Sequence, residues 1–306
     1  MTKRSPKNQT SIVIVGLVRD CEKTIATQIK IIDSAFIGFK EKDWIIVESD
    51  SEDNTLKVLD KLKNEFSINI ISKGKLREIL PKRTERLASC RNEYIQLLNN
   101  NSNYQNKDYV IVVDLDNANK LLKQEAIDYC WESDIKWDAC FANQSAPYYD
   151  IWALRHKLWS PNDFSKSIKF LQKYNISESH YKKHLIYSKM IRIEPNEEPI
   201  EVDSAFGGLG IYKKKLFDQC KYSGLDEENS EICEHISIHE SMKNNNARFY
   251  IMPKLINDGW NEHSKQLLII NRFKVTIISL IIKFLQIFLS KEKIKLFLKK
   301  NNSLFR

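Results

Sequence analysis

The fold prediction starts from the stretch Asp108-Tyr109-Val110-Ile111-Val112-Val113-Asp114-Leu115-Asp116-Asn117. Its centre is an unbroken run of β-branched apolar residues, which is typical of a strand covered on both faces in an α/β sheet. Two carboxylates, Asp114 and Asp116, follow one residue apart. On a continuing strand both side chains would point to the same side, because strand side chains alternate with a period of two. They would then lie at the carboxyl end of a central strand, where open α/β sheets bind ligands.

Two hard oxygen donors in this position suit a Mg²⁺ or Mn²⁺ ion, which keeps its other positions for water and substrate phosphates. The alternative is a strand that ends in an ordinary Asp-rich turn, since Asp and Asn are common turn formers. The buried type of the strand and the sequence before it favour a metal site at Asp114 and Asp116.

The sequence before this stretch alternates strand-like runs with helical patterns. Predicted strands cover Ser11 to Val18, Trp44 to Val47 and Asn69 to Ser72. Apolar residues recur at helical spacing in Thr24 to Phe36 and from Thr55 onward. A β-α-β-α-β order implies parallel strands joined by right-handed crossovers. The predicted fold class is therefore α/β, Rossmann-like, with a mostly parallel central sheet flanked by helices.

The rest of the chain supplies further helices and strands. A helix is predicted from Arg83 to Leu98, and the sequence after the central stretch predicts helices at Gln124 to Ser133 and Cys233 to Asn244. Short strands are expected at Ala139 to Asn143, Leu209 to Tyr212 and Phe249 to Met252. The segment from Asn162 to Asn196 is polar, basic and helical in places, and is interpreted as a variable excursion.

Composition excludes some classes of protein. The chain has 306 residues, 42% of them hydrophobic, so a substantial core is expected and wholesale disorder is excluded. The net charge of +8 suits phosphate-bearing ligands or anionic membranes, but the excess is partly local to the first ten residues and the tail after Arg272. Neither a basic stripe with interleaved aromatic residues nor a known nucleic-acid module is evident, so no nucleic-acid partner is predicted.

The six cysteines form no C-x-x-C pair and match no zinc spacing, which favours buried thiols in a reducing compartment. The apolar run after the basic N-terminus is too short for a signal peptide, and a cytoplasmic location is predicted. Three parts are expected: a basic tail at 1–10, a catalytic domain at 11–270 and a basic, apolar helical segment at 271–306. That last segment suits a peripheral position at the inner face of a membrane, the alternative being a terminal helix packed on its own domain or on a second subunit.

Several of these pieces occur in an order that resembles a known family. A strand ending in Gly-Leu-Val-Arg-Asp is followed by one ending in Glu-Ser-Asp-Ser-Glu-Asp-Asn-Thr, a helix with Arg91-Asn92, and the strand with Asp114-Leu115-Asp116. The pattern resembles nucleotide-sugar glycosyltransferases of the GT-A fold, both the family-2-type enzymes and the capsule mannosyltransferase-like group. It covers roughly Ser11 to Asn261, and the long insertion within it departs from the simplest members.

The resemblance implies roles for particular residues. The loop after the second strand would grip the nucleotide, and Asp114 and Asp116 would hold the metal and its diphosphate. A glycine turn on the acceptor side resembles Phe206-Gly207-Gly208, an acidic residue on a later helix that acts as base resembles Glu234, and a late metal ligand resembles His263. The residues assigned to the nucleotide by this resemblance are Glu48, Asp50, Asp53, Arg91 and Asp114.

The chemistry of the residues themselves agrees with these roles but leaves alternatives open. Arg19, Arg86 and Arg91 could supplement the metal, since guanidinium groups match phosphate oxygens in pairs, or they could form a solvated basic face. Asp50 could accept a bond from the nucleoside, or cap the helix near Thr55.

An inverting enzyme needs a base, for which Glu234 is the first choice and Asp203 the second. Each could instead be an ordinary surface acid, which is the favoured interpretation for Asp203. His235 and His239 lie one turn apart, but a structural pair is favoured over a metal pair because no H-E-x-x-H pattern exists.

The leading hypothesis is a metal-dependent glycosyltransferase that moves a sugar from a nucleoside diphosphate sugar to a glycan or lipid-linked acceptor. One alternative is a sugar nucleotidyltransferase, although the glycine-rich loop that this class places after its first strand is missing at Gly16 to Arg19. The other is a scaffold that has the fold without the chemistry.

Overall fold

The computed structural model describes residues 4–268 and Leu280. The chain divides into two compact units, Met1–Trp260 and Asn261–Arg306. The first unit contains eight strands: β1 (Ser11–Val18), β2 (Glu41–Glu48), β3 (Ile68–Ser72), β4 (Tyr109–Asp114), β5 (Ala139–Gln144), β6 (Ile200–Val202), β7 (Leu209–Lys213) and β8 (Phe249–Asp258). Its α-helices are α1 (Ile25–Ala35), α2 (Thr55–Leu62), α3 (Arg83–Asn100), α4 (Ser102–Gln105), α5 (Gln124–Glu132), α6 (Phe164–Lys173), α7 (Glu178–Leu185) and α8 (Glu234–Lys243).

The strands form one sheet in the order β3-β2-β1-β4-β7-β5-β8-β6. Strands β3, β2, β1 and β4 are parallel, β7 is antiparallel to both of its neighbours, and β5 pairs in parallel with β8. Only β7 and the edge strand β6 run against the common direction. The predicted α/β class with a mostly parallel sheet is therefore confirmed.

The core lies on both faces of the inner strands. The residues from Val110 to Val113 are fully buried, as the β-branched run predicts for a strand with β1 on one side and β7 on the other. One face of α1 covers this sheet, because Ile25, Ile29 and Ile32 recur at helical spacing and are all fully buried. Each such side chain contributes about 1.5–3 kcal/mol of burial free energy.

The central strand ends earlier than the sequence predicts. Strand β4 stops at Asp114, so Asp116 lies in the following turn and not on the strand, and the argument that both side chains share a strand face is wrong. Leu115, between them, is buried because it packs against Gly16 of β1. A Cβ added to Gly16 would lie 2.7 Å from Leu115 Cδ1. The buried leucine anchors the turn, and Asp116 and Asn117 are left exposed.

Two other sequence predictions concern the cysteines and the segment 271–306. All six cysteines are free thiols, five of them buried and Cys233 partly exposed. The predicted helical segment at 271–306 lies outside the described residues, apart from Leu280. Within the described part of the chain, no helix is both long and apolar enough to span a bilayer.

Candidate active site

The carboxyl ends of three adjacent parallel strands bring polar residues to one edge of the sheet. Val18, the last residue of β1, lies opposite Glu48 of β2, and Leu17 of β1 lies opposite Asp114 of β4. In a parallel register the loops that follow these strands leave from the same edge. The first-strand loop, the acidic loop after β2 and the Asp114–Asp116 turn therefore border a common region.

An acidic centre occupies this edge. Burial, and then repulsion from Asp116, raise the pKa of Asp114 to about 7, against the opposing charge of Arg91. Asp150 and Glu234 add to the same repulsion. Carboxylates that repel one another in a partly buried place favour a positive charge between them.

Asp150 was missed from the sequence because it lies within the aromatic-rich stretch 146–159, which follows no single helical or strand period. The same negative charges act on the neighbouring hydroxyl of Tyr149. Burial and the charges of Asp114, Asp150 and Asp116 raise the pKa of Tyr149 well above its usual value.

Arg91 of α3 joins the acidic centre to α8. Its Nε donates to Glu234 Oε1 at 2.9 Å, and its Nη2 lies 3.6 Å from Asp114 Oδ1. Both side chains of the Arg91–Glu234 pair are almost fully buried. The guanidinium carbon lies 5.6 Å from the ring centres of Phe206 and Tyr222, within the range of cation–π attraction. Arg91 Nη1 is buried and makes no hydrogen bond to any residue that the structure describes.

A two-glycine turn closes one side of the centre. Gly207 and Gly208 have φ of 67° and 85°, a left-handed conformation that favours glycine. The turn presents the Gly208 carbonyl to the backbone N–H of Asp114 at 2.9 Å, and the Gly207 N–H donates to Asp150 Oδ2 at 2.9 Å. A Cβ on Gly208 would lie 3.0 Å from the Tyr149 hydroxyl. The turn therefore fixes the backbone at Asp114 and the side chain of Asp150 together.

Hydrogen bonds from buried side-chain amides fix the position of this turn relative to the Asp114–Asp116 turn. Asn119 donates from Nδ2 to the Asp114 carbonyl at 2.7 Å and accepts from Asn257 Nδ2 at 3.0 Å. Asn257 also donates to the Gly207 carbonyl at 2.8 Å. On the other side, the Gln28 side chain accepts from the Asn119 backbone N–H at 3.2 Å. Isolated Asn and Gln residues on three separate segments carry no sequence signal for such a network.

Two of the predicted nucleotide ligands, Glu48 and Asp53, form hydrogen bonds that stabilise the acidic loop. Glu48 is buried, and its two oxygens accept from the Ser51 N–H at 2.9 Å and the Ser72 hydroxyl at 2.6 Å. Asp53 accepts from the N–H of Thr55 at 2.9 Å and from a backbone N–H of the loop after β1 at 3.0 Å. These bonds shape the acidic loop and tie it to the first-strand loop.

Asp50 and Arg86 form a long ion pair in which both side chains are largely buried. Asp50 has φ of 59°, and its Oδ1 accepts from the Arg77 N–H at 2.8 Å. Its Oδ2 has a longer ion pair, 3.9 Å from Arg86 Nε. Arg86 also donates from Nη1 to the carbonyls of Leu80 and Pro81 at 2.7 Å and 2.6 Å. The alternative that Asp50 caps α2 is not what the structure has, since Asp53 bonds the first N–H of that helix.

The remaining predicted residues make other contacts. Arg19 is half exposed, with Nε 3.7 Å from Asp20 Oδ2. Asp203, the second choice for the base, is largely exposed, and its carboxylate lies 3.4 Å from Lys243 Nζ. His263 belongs to the second compact unit, where its backbone N–H donates to Asn261 Oδ1 at 3.1 Å. The structure brings Asp114, Asp116, Arg91 and Glu234 together and gives Asp203 a different neighbour.

His235 and His239 of α8 form a buried structural pair, as expected. Their rings lie 5.8 Å apart, and His239 bonds Ser204 Oγ at 2.7 Å and Tyr212 Oη at 2.9 Å. Burial, and then the charge of Arg91, lower the pKa of His239 to about 3. His239 is therefore neutral at ordinary pH and serves packing and hydrogen bonding.

The donor set at the acidic centre fits a hard divalent cation. Within the described residues no group of three or more His, Cys, Asp and Glu side chains is arranged around one metal position. Two carboxylates, one partly and one largely exposed, match instead the way in which Mg²⁺ and Mn²⁺ bind through one or two carboxylates plus water and phosphate oxygens.

Comparison with known proteins finds similarity in structure only. No family model matches the chain, and no curated protein matches it in sequence. Solved structures that it resembles include TarS from S. aureus, at 11% identity and a TM-score of 0.49, over 88% of this chain and 40% of that one. A second is the mannosyltransferase PcManGT from Pyrobaculum calidifontis in complex with GDP-Man and Mn²⁺, at 10% identity and a TM-score of 0.45, over 83% and 58%.

A third is glucosyl-3-phosphoglycerate synthase from Mycobacterium tuberculosis in complex with UDP, at 13% identity and a TM-score of 0.39, over 84% and 73%. This chain spans well under two thirds of the first two structures. All three TM-scores are below 0.5.

Proposed function

We propose that this protein is a metal-dependent glycosyltransferase that transfers a sugar from a nucleoside diphosphate sugar to a glycan or lipid-linked acceptor. The observation that carries the proposal is the acidic pair Asp114 and Asp116 at the carboxyl end of an inner parallel strand, beside the buried Arg91. This edge of an open α/β sheet is where ligands bind, and the pair offers the oxygen donors that a cation with a diphosphate needs.

Asp114 and Asp116 would hold the Mn²⁺ or Mg²⁺ ion, which supplies neutralisation of the charge that develops on the leaving diphosphate. Arg91 orients Asp114 through their ion pair and offsets part of the negative charge of the acidic centre. Asp50 is the proposed contact for the nucleoside, because one of its oxygens has only a long ion pair. Glu48 and Asp53 support the loop that presents it, and Arg86 and Arg19 border the same edge.

Glu234 remains the first choice for the residue that takes the acceptor proton. Its Oε1 is held by Arg91 Nε, so an acceptor hydroxyl would have to reach Oε2. Asp150 is a further candidate, since it shares the acidic centre and is fixed by the Gly207 N–H. Asp203 as an alternative base and His263 as a metal ligand remain proposals, and the structure describes no contact of either with the acidic centre. The membrane role of 271–306 is a proposal as well.

The test is release of nucleotide from a panel of UDP-, GDP- and CMP-sugars, with and without Mn²⁺. Metal-dependent appearance of free nucleoside diphosphate supports the proposal, and an Asp114→Asn, Asp116→Asn double variant should lower it by on the order of a hundredfold or more. Pyrophosphate release from a nucleoside triphosphate would indicate a nucleotidyltransferase instead. Absence of both activities would favour a non-catalytic scaffold.

A further inference from the structure

We propose that residues 155–192, here called the basic excursion, form the docking surface for a polyanionic glycan acceptor. The inference rests on the proposed function, because it assigns the chemistry of the acceptor for the same site. The excursion connects β5 to β6 and contains α6 and α7. Its charge, its exposed aromatic residues and the place where it is anchored each support this role.

Within residues 11–260 the positive charge is concentrated in this segment. The basic excursion has nine Lys and Arg residues against two Asp and Glu, a net charge of +7. The two stretches of the first unit that flank it, 11–154 and 193–260, have together 26 Lys and Arg against 36 Asp and Glu, a net charge of −10. A cluster of like charges repels itself, and an anionic partner relieves that repulsion. A neutral acceptor would gain nothing from it.

Helix α6 presents this charge together with aromatic rings. Lys166, Phe170, Lys173 and Tyr174 recur at three- and four-residue spacing, so they lie on one helix face, and all four are exposed. Phe170 and Tyr174 are 58% and 66% exposed, with ring centres 5.1 Å apart. Flat rings between ammonium groups provide apolar surface for the faces of sugar rings and cations for their acidic substituents.

The excursion is anchored at the edge of the sheet that holds the acidic centre. It follows β5 at that edge, and the backbone N–H of Tyr148 donates to the Ile191 carbonyl at 2.8 Å. Arg155 pairs through its backbone with Ser204, two residues before the Phe206–Gly208 turn. Two neighbouring residues before the excursion, Tyr149 and Asp150, are part of the acidic centre itself. An acceptor held on the excursion is therefore held beside the proposed site of transfer.

Packing fixes α6 in place. Phe164, at its first turn, is buried, with Lys189 Nζ 4.3 Å and Arg155 Cζ 5.5 Å from the centre of its ring. Lys169 reaches Asp226 at 3.3 Å and Glu228 at 3.1 Å. A helix tied to the body in this way is a fixed platform.

A lipid surface is the less suitable occupant. Helices that lie in a membrane interface bury a continuous apolar face flanked by cations. On α6 the two exposed aromatic rings are interrupted by lysines on the same face, and α7 exposes Lys183 and His184. This alternation suits a glycan chain in which sugar rings alternate with negative charges. The proposed occupant is therefore a soluble anionic glycan.

The experiment measures binding of a fluorescein-labelled oligogalacturonate by fluorescence anisotropy at low salt, with a neutral maltodextrin of equal length for comparison. The variant is the triple substitution Lys166→Glu, Lys173→Glu, Lys183→Glu, which lowers the net charge of the excursion from +7 to +1. The matched control is Lys57→Glu, Lys61→Glu, Lys215→Glu, three exposed lysines elsewhere with the same total change of charge.

We expect the full chain to bind the oligogalacturonate and not the maltodextrin. The excursion variant should bind at least about tenfold more weakly, and the control variant should stay within about twofold of the unmodified chain. A Phe170→Ala, Tyr174→Ala variant, which keeps every charge, should also weaken binding. No binding of the oligogalacturonate, or equal loss in both triple variants, would overturn the proposal. So would binding of the excursion to phosphatidylglycerol vesicles but not to the glycan.

The failure of this inference can be told apart from failure of the proposed function. Metal-dependent release of nucleoside diphosphate from the donor, with water as acceptor, should be the same in the excursion variant as in the unmodified chain. If the unmodified chain lacks that release, the proposed function fails; if release is intact and the glycan is not bound, only the acceptor assignment fails.

Discussion

Removing the guanidinium of Arg91 should destabilise the fold far more than removing an equivalent exposed arginine. In Arg91→Met the aliphatic stem and approximate volume remain, but Glu234 loses the Nε donor that lies 2.9 Å from its Oε1. Only 6% of the Glu234 side chain is exposed, so water cannot replace the lost partner. The carboxylate would be left buried and without its cation.

The expected cost follows from that geometry. Breaking a buried ion pair by removing one partner costs about 3–5 kcal/mol, since the other charge stays desolvated. Loss of the cation–π contacts with Phe206 and Tyr222 adds about 0.5–2 kcal/mol. We therefore expect the free energy of unfolding to fall by roughly 3.5–7 kcal/mol.

The assay is urea denaturation at neutral pH, with a double-mutant cycle. Adding Glu234→Gln to Arg91→Met removes the orphaned charge and should recover about 2 kcal/mol or more. The chain provides a matched control in Arg192→Met, whose Nε lies 3.0 Å from Glu194 Oε1 in a pair with both side chains more than half exposed. Exposed pairs contribute about 0–1 kcal/mol, so this control should change little.

Two results would refute the reasoning. If Arg91→Met costs no more than Arg192→Met, the buried pair does not stabilise the fold. If the two substitutions at Arg91 and Glu234 are simply additive, the two side chains do not depend on each other. Either result would also weaken the proposal that Arg91 orients the acidic centre.

Three further predictions concern the metal, pH and the glycine turn. Asp116→Asn should weaken Mn²⁺ binding in the presence of a nucleoside diphosphate by tenfold or more, about 1.4 kcal/mol or above, and calorimetric titration that finds unchanged affinity would contradict the assigned ligand. Because the folded-state pKa of His239 is lowered to about 3, the unfolded chain binds its proton more readily below pH 6.5. The stability contributed by neutral His239 is therefore present above pH 6.5 and lost as pH falls, at about 1.4 kcal/mol per pH unit down to about pH 3. In urea melts, the free energy of unfolding of His239→Gln should therefore depend less steeply on pH. An equally steep dependence in both proteins would be evidence against a neutral buried histidine. Gly208→Ala should lower both stability, by about 1–3 kcal/mol, and donor hydrolysis, because its Cβ meets the Tyr149 hydroxyl at 3.0 Å. Gly38→Ala is the control, as Gly38 has nearly the same φ but nothing within 4 Å of the added Cβ, so thermal unfolding that shifts equally in both would show that crowding plays no part.

The strands and helices around the acidic pair were predictable because their signals are local. Strand β1 has the predicted bounds, and the buried run of β4 is where its β-branched residues place it. Hydrophobic periodicity depends only on neighbours a few residues apart. The end of β4 was predicted too late, since the packing of Leu115 against Gly16, about a hundred residues away in sequence, ends the strand.

Local sequence patterns are enough to predict that two carboxylates follow an inner strand of an α/β sheet, and hence the edge at which a cation and a diphosphate would bind. The groups that surround these carboxylates come from distant parts of the chain and are known from the folded structure. Arg91 bonds Glu234, 143 residues further along the chain, the Gly208 carbonyl accepts from the Asp114 N–H, and Asp150 joins the acidic centre. The physical reason is that a strand and its loop are specified by side-chain pattern within a few residues. A buried ion pair or a carbonyl aimed at one N–H depends instead on how distant segments pack, which no local pattern encodes.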